Sequence, residues 1–273
     1  MLAESVTSIL IPRMSELQTQ NDTREIIRIT ARAMQKLAFF YFPIYIFLMI
    51  TAQTFITTLF THNYLQSVPI FLINISILPL YILISDPIVR AYKELGRFLL
   101  TLRIFIIVAL VAALYFGIQH FDLRGMIAIV VVASAFDRLV STWIVLKKLK
   151  VERGDLFLLK DIGKTAVASL IAGFFTYLFY REFNERIFHW GETFTRAVFS
   201  SPNESIVDFI SGSLVLSVCA SVFTPIYLLG ANRFGIIEDG EKNKIESIYR
   251  KATGRREPET PRVIQNPNSE IQN

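Results

Sequence analysis

Cysteine is nearly absent from this chain of 273 residues: Cys219 is the only one. No disulfide within the chain and no thiolate metal centre can be built from it. Lying in an apolar run, it reads as a small packing residue. Histidine is scarce as well. His62, His120 and His189 stand far apart and match no metal-ligand spacing, so no metal site is expected. Charged residues make up 19% of the chain, against roughly 25% in soluble domains. No Ser-His-Asp set, nucleophile elbow or carboxylate pair can be read, so an enzyme is not expected and no cofactor is implied. The "GKT" at Gly163–Thr165 lacks the glycine a phosphate-binding loop requires five residues before its Gly-Lys pair; Leu158 stands there.

Apolar residues are what the chain has in excess. They are 52% of the total, mean hydropathy is +0.45, and Phe alone contributes 23. The net charge of +5 would suit nucleic acid only if Lys and Arg shared one soluble face. Here they fall between long apolar runs, which excludes nucleic acid as the expected partner and points to a lipid bilayer. A bilayer core about 30 Å thick takes about 20 residues of helix. Six stretches qualify: Leu37–Phe60, Ser67–Ser85, Phe98–Ile118, Gly125–Leu146, Thr165–Tyr180 and Ile206–Gly230. The fifth is short and borrows Ile162–Lys164, with Lys164 snorkelling.

Basic residues alternate between the connections. Arg13, Arg24, Arg28, Arg32 and Lys36 precede the first stretch; "THNYLQ" after it has none. Arg90, Lys93, Arg97 and Arg103 follow, then only Arg124, then Lys147, Lys148, Lys150, Arg153, Lys160 and Lys164. In the loop Arg181–Ser205 the arginines are offset by glutamates, and the tail is basic again. Six spans with both termini cytoplasmic satisfy the positive-inside rule, and the cytoplasmic membrane is the expected location. Tyr64, Tyr115, Phe116, Phe121, Tyr177, Tyr180 and Trp190 lie near outer boundaries, as an interfacial belt requires. The expected fold is all-α: residues 1–36 as a helix stub and a basic amphipathic cytoplasmic segment, 37–230 as a six-span membrane domain, and 231–273 as a cytoplasmic tail. Ile237, Ile245, Ile248 and Tyr249 give the tail an amphipathic start, and its Pro- and Asn-rich end after about 253 is expected to be disordered. "FHWGETFTRAVF" in the long outer loop suits either an interfacial helix or a solvated loop.

Charges inside a span cost a few kcal/mol unless they face protein or water. Asp137 and Arg138, in "SAFDRLVSTW", are therefore candidate residues for substrate or ion coupling. Being adjacent they cannot face each other, so each requires a partner elsewhere. Asp86 and Arg90 in "ISDPIVRAYK" are four apart on one helix face and can pair; they serve equally as a site or as a topology anchor. Arg103 and Asp208 lie within snorkelling reach of an interface. Pro43, Pro79 and Pro225 stand inside spans and are candidate kinks, with the freed carbonyls re-satisfied by neighbouring helices or water. Thr51, Gln53, Thr54, Asn74, Ser76 and Ser134 suit a lumen or helix–helix hydrogen bonds.

The order of these features resembles a known family. Pro12 with Ser15, the basic Arg24–Lys36 segment, Pro43, Leu59-Phe60, Tyr64, Pro69-Ile70-Phe71-Leu72, and Gly125 opening a span in "DLRGMIAIVVVAS" are similar to the polysaccharide and O-antigen flippases. These belong to the multidrug/oligosaccharidyl-lipid/polysaccharide exporter superfamily. The resemblance runs from about Ser5 to about Leu149. It implies two helical bundles with a path between them, along which a lipid-linked oligosaccharide crosses the membrane by alternating access. On that plan the chain corresponds to the C-terminal bundle. "SILIPRMSEL" reads as the last turns of a span ending at about Pro12, so the chain is expected to be a fragment or a split-gene product, its N-terminal bundle missing or on a separate chain. Charged cavity residues differ within the family and none is carried over. A cation-coupled multidrug exporter half is the nearest alternative, and a non-transporting scaffold of a polysaccharide assembly complex is another.

Overall fold

A computed structural model describes residues 2–60, 62–151, 159–199 and 203–236. Its α-helices are α1 (Leu2–Thr19), α2 (Thr23–Phe60), α3 (Val68–Ile75), α4 (Asp86–Ala91), α5 (Lys93–Gly117), α6 (Leu123–Lys148), α7 (Lys160–Val198) and α8 (Glu204–Arg233). Short 3-10 turns cover His62–Ser67 and Leu78–Ile82. Among the described residues, six segments are long and apolar enough to cross a membrane, as the sequence predicts. The tail beyond Ile236 and the segment containing Arg153 lie outside the described residues.

The first correction concerns Pro12. The helix expected to end there continues to Thr19. A proline in a helix interior costs about 3 kcal/mol. Beyond it, Met14 and Leu17 are completely or almost completely buried against Ile26, Ile88, Leu95 and Val145. Burying two such side chains is worth roughly 1.5–3 kcal/mol each, so packing outweighs the proline. The turn into α2 uses Asn21 at φ +55°, a left-handed conformation that asparagine tolerates better than most residues. Asp22 then accepts the backbone N–H of Glu25 at 3.1 Å and caps α2. The basic segment and the first span are thus one helix.

The second correction concerns the second span, which is broken. Pro79 has no N–H to offer Ile75, and its ring clashes with that carbonyl; α3 accordingly ends at Ile75. Pro79 opens a 3-10 turn and kinks no α-helix. The chain is extended at Leu83, and α4 restarts at Asp86 with Pro87 in its first turn, where a missing N–H costs nothing. Pro43 and Pro225 do stand inside continuous helices. Pro43 leaves the Phe39 carbonyl without its helical donor, and the Tyr227 hydroxyl from α8 donates to it at 2.8 Å.

The third correction concerns the fifth span and the long outer loop. The span and the loop as far as Val198 belong to α7, a single helix of 39 residues, about 58 Å long. It pairs antiparallel with α8 at closely spaced small residues. A Cβ on Gly191 would lie 2.7 Å from Ser211 Cα, and one on Gly212 would collide with the Thr58 hydroxyl of α2. Buried Thr195 and Gly191 alternate with exposed Trp190 and Phe194 at helical spacing. The helix therefore has a packed face, which the sequence alone left as a choice between interfacial helix and loop.

Two groupings result. Helices α2, α7 and α8 form a tight trio around Ala168, Ala172, Phe223 and Tyr227. Helices α5 and α6 pack against each other and the broken span, and most of α5 is exposed. Met14, Ile26, Ile88, Leu95, Leu99, Val145 and Leu149 form one core, which gathers the basic ends of α2, α5 and α6 at the same end of the bundle. There Lys148 pairs with Glu94 at 2.7 Å.

Candidate functional site

The break between α3 and α4 opens a cavity of about 720 Å³, within the range of small-molecule sites. All four coupling candidates read from the sequence, Asp86, Arg90, Asp137 and Arg138, line it. The fold brings them together because the broken backbone carries Asp86 and Arg90 to α6. Leu78, Tyr81, Leu83, Ile84 and Ser85 form part of the wall, an arrangement in which irregular backbone of a candidate span lines a cavity.

Their pairing differs from expectation. Asp86 and Arg90, four apart, form no ion pair among the described residues. Arg103 of α5 takes both acids instead. Its Nη2 donates to Asp86 Oδ1 at 3.0 Å and its Nε to Asp137 Oδ1 at 3.4 Å. Arg103 lies ten residues past Lys93, the first residue of α5, about 15 Å along the axis and inside the expected span Phe98–Ile118. It bridges two carboxylates rather than snorkelling. One arginine fork is matched to two carboxylates.

Arg138 finds an aromatic partner. Its guanidinium carbon lies 4.1 Å from the centre of the Tyr81 ring, close enough for a cation–π contact of about 0.5–2 kcal/mol. Tyr81 stacks in turn on Tyr41 of α2 with ring centres 6.1 Å apart. This leaves the charge of Arg138 without a carboxylate among the described residues. Arg90 is in the same state and is exposed. At the cavity wall, Ser141 is 1% exposed, and its Oγ has no hydrogen-bond partner among the described residues. Glu4, Thr7 and Ser8 of α1 line the cavity as well.

Tyr41, Tyr81 and Ser141 were not singled out by sequence, and Arg103 was read there only as snorkelling. Arg103 carried a usable signal: it and Asp137 are equidistant from the short connection joining α5 and α6, so an antiparallel pair puts them at one depth. The polar candidates of the spans divide. Thr51 bonds back to the Phe47 carbonyl and Thr54 meets the Tyr180 hydroxyl at 2.7 Å. Gln53, Asn74 and Ser76 are exposed. Asp208 lies 3.5 Å from His62 at the far end of the bundle. Gly163 sits inside α7, with Lys164 paired to Asp161 at 2.6 Å, a helical rather than a phosphate-loop geometry.

Residues 1–69 match the family model described as polysaccharide biosynthesis protein. That region holds α1, α2 and the start of the broken span, including Tyr41 and the α1 residues of the cavity. No curated protein and no solved structure matches the chain.

Proposed function

We propose that this multi-pass membrane protein moves a lipid-linked oligosaccharide or polysaccharide precursor across the cytoplasmic membrane by alternating access. The cavity is the observation that carries the reading. Beside the bridge from Arg103 to Asp86 and Asp137, two guanidinium groups, Arg90 and Arg138, line it without carboxylate partners among the described residues. They suit an anionic head group such as the phosphate of a lipid-linked sugar. The tyrosines Tyr41 and Tyr81 offer ring faces and hydroxyls to a sugar, and Ser141 offers a hydrogen bond. The family match over residues 1–69 supports a role in polysaccharide biosynthesis. The reading includes a second helical bundle, on the same or a separate chain, supplying the facing wall. It also sets both termini in the cytoplasm, supported by the basic ends of α2, α5 and α6 lying together.

The test is translocation of a fluorescent diphosphate-linked oligosaccharide lipid in vesicles carrying the protein with its partner bundle. Arg138→Ala removes a charge-assisted contact of about 1.5–3 kcal/mol, a loss of roughly ten- to hundredfold. Unchanged translocation in Arg138→Ala and in Arg90→Ala would overturn the reading. Flux of small organic cations abolished by Asp137→Asn would move the protein to the drug exporters.

A further inference from the structure

Helices α5 and α6 are anchored at one end only. Among the described residues, α5 buries Leu95, Leu99 and Gly117, and α6 buries Ser141 and Val145. Leu95, Leu99 and Val145 belong to the core that also holds Met14, Ile26 and Ile88. Gly117 is covered by Phe121, Met126 and Ile129, which belong to the same hairpin. Between Leu99 and Gly117 of α5, and between Gly125 and Ser141 of α6, no residue is buried. Helices α7 and α8 differ: their buried residues run from Thr165 to Thr195 and from Val207 to Ala231. Helix α3 lies along α6 but buries only Ile75. A segment with so few buried contacts is held weakly along most of its length.

Just beyond the anchored end, two sets of side-chain contacts tie the pair to its neighbours. Arg138 stands seven residues before Val145, about 10 Å along α6. Its guanidinium sits on Tyr81, which stacks on Tyr41 of α2. Arg103 of α5 reaches Asp86 at the start of α4. Both ties end on the broken span, one on each side of its non-helical residues 83–85. Leu83 and Tyr92, with ψ at 96° and 100°, bracket α4. Such residues at the ends of elements are where hinges absorb dihedral change. A cation–π contact, a ring stack and a half-exposed ion pair are each modest in strength, so they hold a position without welding it.

We propose that α5 and α6 form a lever that pivots at its basic end relative to α2, α7 and α8, latched by the Arg138–Tyr81–Tyr41 stack and the Arg103–Asp86 ion pair. The fulcrum is the buried core around Ile88 and Val145. A pivot of about 10° moves the far end of α6, about 33 Å away at Leu123, by roughly 6 Å. All five latch residues line the charged cavity. An occupant that engages them competes with the latch, whatever its charge. Filling the cavity and freeing the pair are therefore coupled. The motion lies within this one bundle and is separate from any displacement between two bundles.

The experiment measures distances between nitroxide labels by electron–electron double resonance, on the full chain in phosphatidylcholine vesicles and in a Cys219→Ala background. Labels at His120→Cys and Trp190→Cys report the far end of the lever against α7. Labels at Leu59→Cys and Trp190→Cys report α2 against α7 as the control. All three positions are exposed. Tyr81→Leu combined with Asp86→Asn releases both latches. It is expected to shift or broaden the His120–Trp190 distances by about 5 Å or more, with the Leu59–Trp190 distances as in the parent. Tyr81→Phe keeps the ring and is expected to match the parent, whereas Tyr81→Leu alone gives part of the shift. His120–Trp190 distances unchanged by the double release would overturn the lever. Equal broadening of both label pairs would mean that the whole bundle has loosened, and would overturn it too. If Tyr81→Phe behaved as Tyr81→Leu does, the ring stack would not be a latch.

Discussion

Arg103 makes the sharpest demand on a single residue, since it holds two carboxylates beside an apolar candidate span. Replacing it with leucine leaves Asp86 and Asp137 uncompensated, and each isolated charge there costs roughly 2.5–3.5 kcal/mol. We expect Arg103→Leu to lower stability by about 3 kcal/mol in denaturing-detergent titration, and Arg103→Leu/Asp137→Leu to recover part of that loss, because an ion pair removed whole costs less than one broken. A double variant no more stable than the single one would mean the bridge does not carry this energy. A second contact makes an equally definite claim. Tyr227 donates to the carbonyl that Pro43 leaves bare, so Tyr227→Phe should cost about 1–2 kcal/mol with Pro43 present. In a Pro43→Ala background, where a helical N–H returns to Phe39, the same substitution should cost distinctly less, and a double-mutant cycle reads the difference directly. Asp137 and Arg138 were legible in the sequence because an intramembrane charge is costly wherever it falls. Arg103 was not, because its distance from the nearest basic cluster also fits snorkelling; only the pairing of α5 with α6 brings it to Asp137.

At the scale of elements, hydropathy marks where the chain crosses and says little about how each crossing is made. Six spans were legible from apolar length and the alternation of Lys and Arg. The break in the second was not, although Pro79 and Pro87 both stand in it, since prolines are common in membrane helices and only some interrupt them. The continuity of α7 was hidden for the opposite reason. Its charged stretch from Arg181 to Arg186 looks like the end of a span, and the face that keeps it helical consists of Gly191, Thr195 and their contacts with α8. That face can be tested. Gly191→Val would press on the backbone of Ser211, which cannot yield as a side-chain tip can. We expect a loss of about 2–3 kcal/mol in thermal unfolding in detergent. Gly163→Ala, with no heavy atom within 4 Å of the added Cβ, should instead stabilise α7 by about 0.5–1 kcal/mol. Equal effects of the two substitutions would mean that the α7–α8 seam is not packed as described.

For the whole molecule, the core of Met14, Ile26, Ile88, Leu99 and Val145 has a consequence beyond stability. It ties the junction of α1 and α2, the helix α4, the start of α5 and the end of α6 to one level, and these are the segments richest in Lys and Arg. The connections after α2, between α5 and α6, and between α7 and α8 are left at the opposite level. If the positive-inside rule governs this chain, the first level is cytoplasmic and the second is external. Single cysteines introduced into a Cys219→Ala background separate the two. In intact cells a membrane-impermeant maleimide should label Tyr64→Cys and His120→Cys, at exposed positions. Gln20→Cys and Lys93→Cys, equally exposed, should react only after permeabilisation. The inverse pattern would reverse the orientation and keep the bundle. Labelling of Lys93→Cys and His120→Cys from the same side would be graver, because α5 would then not cross. Arg103 and Asp137 would no longer share a depth in the bilayer, and the charged cavity would lose its place inside the membrane.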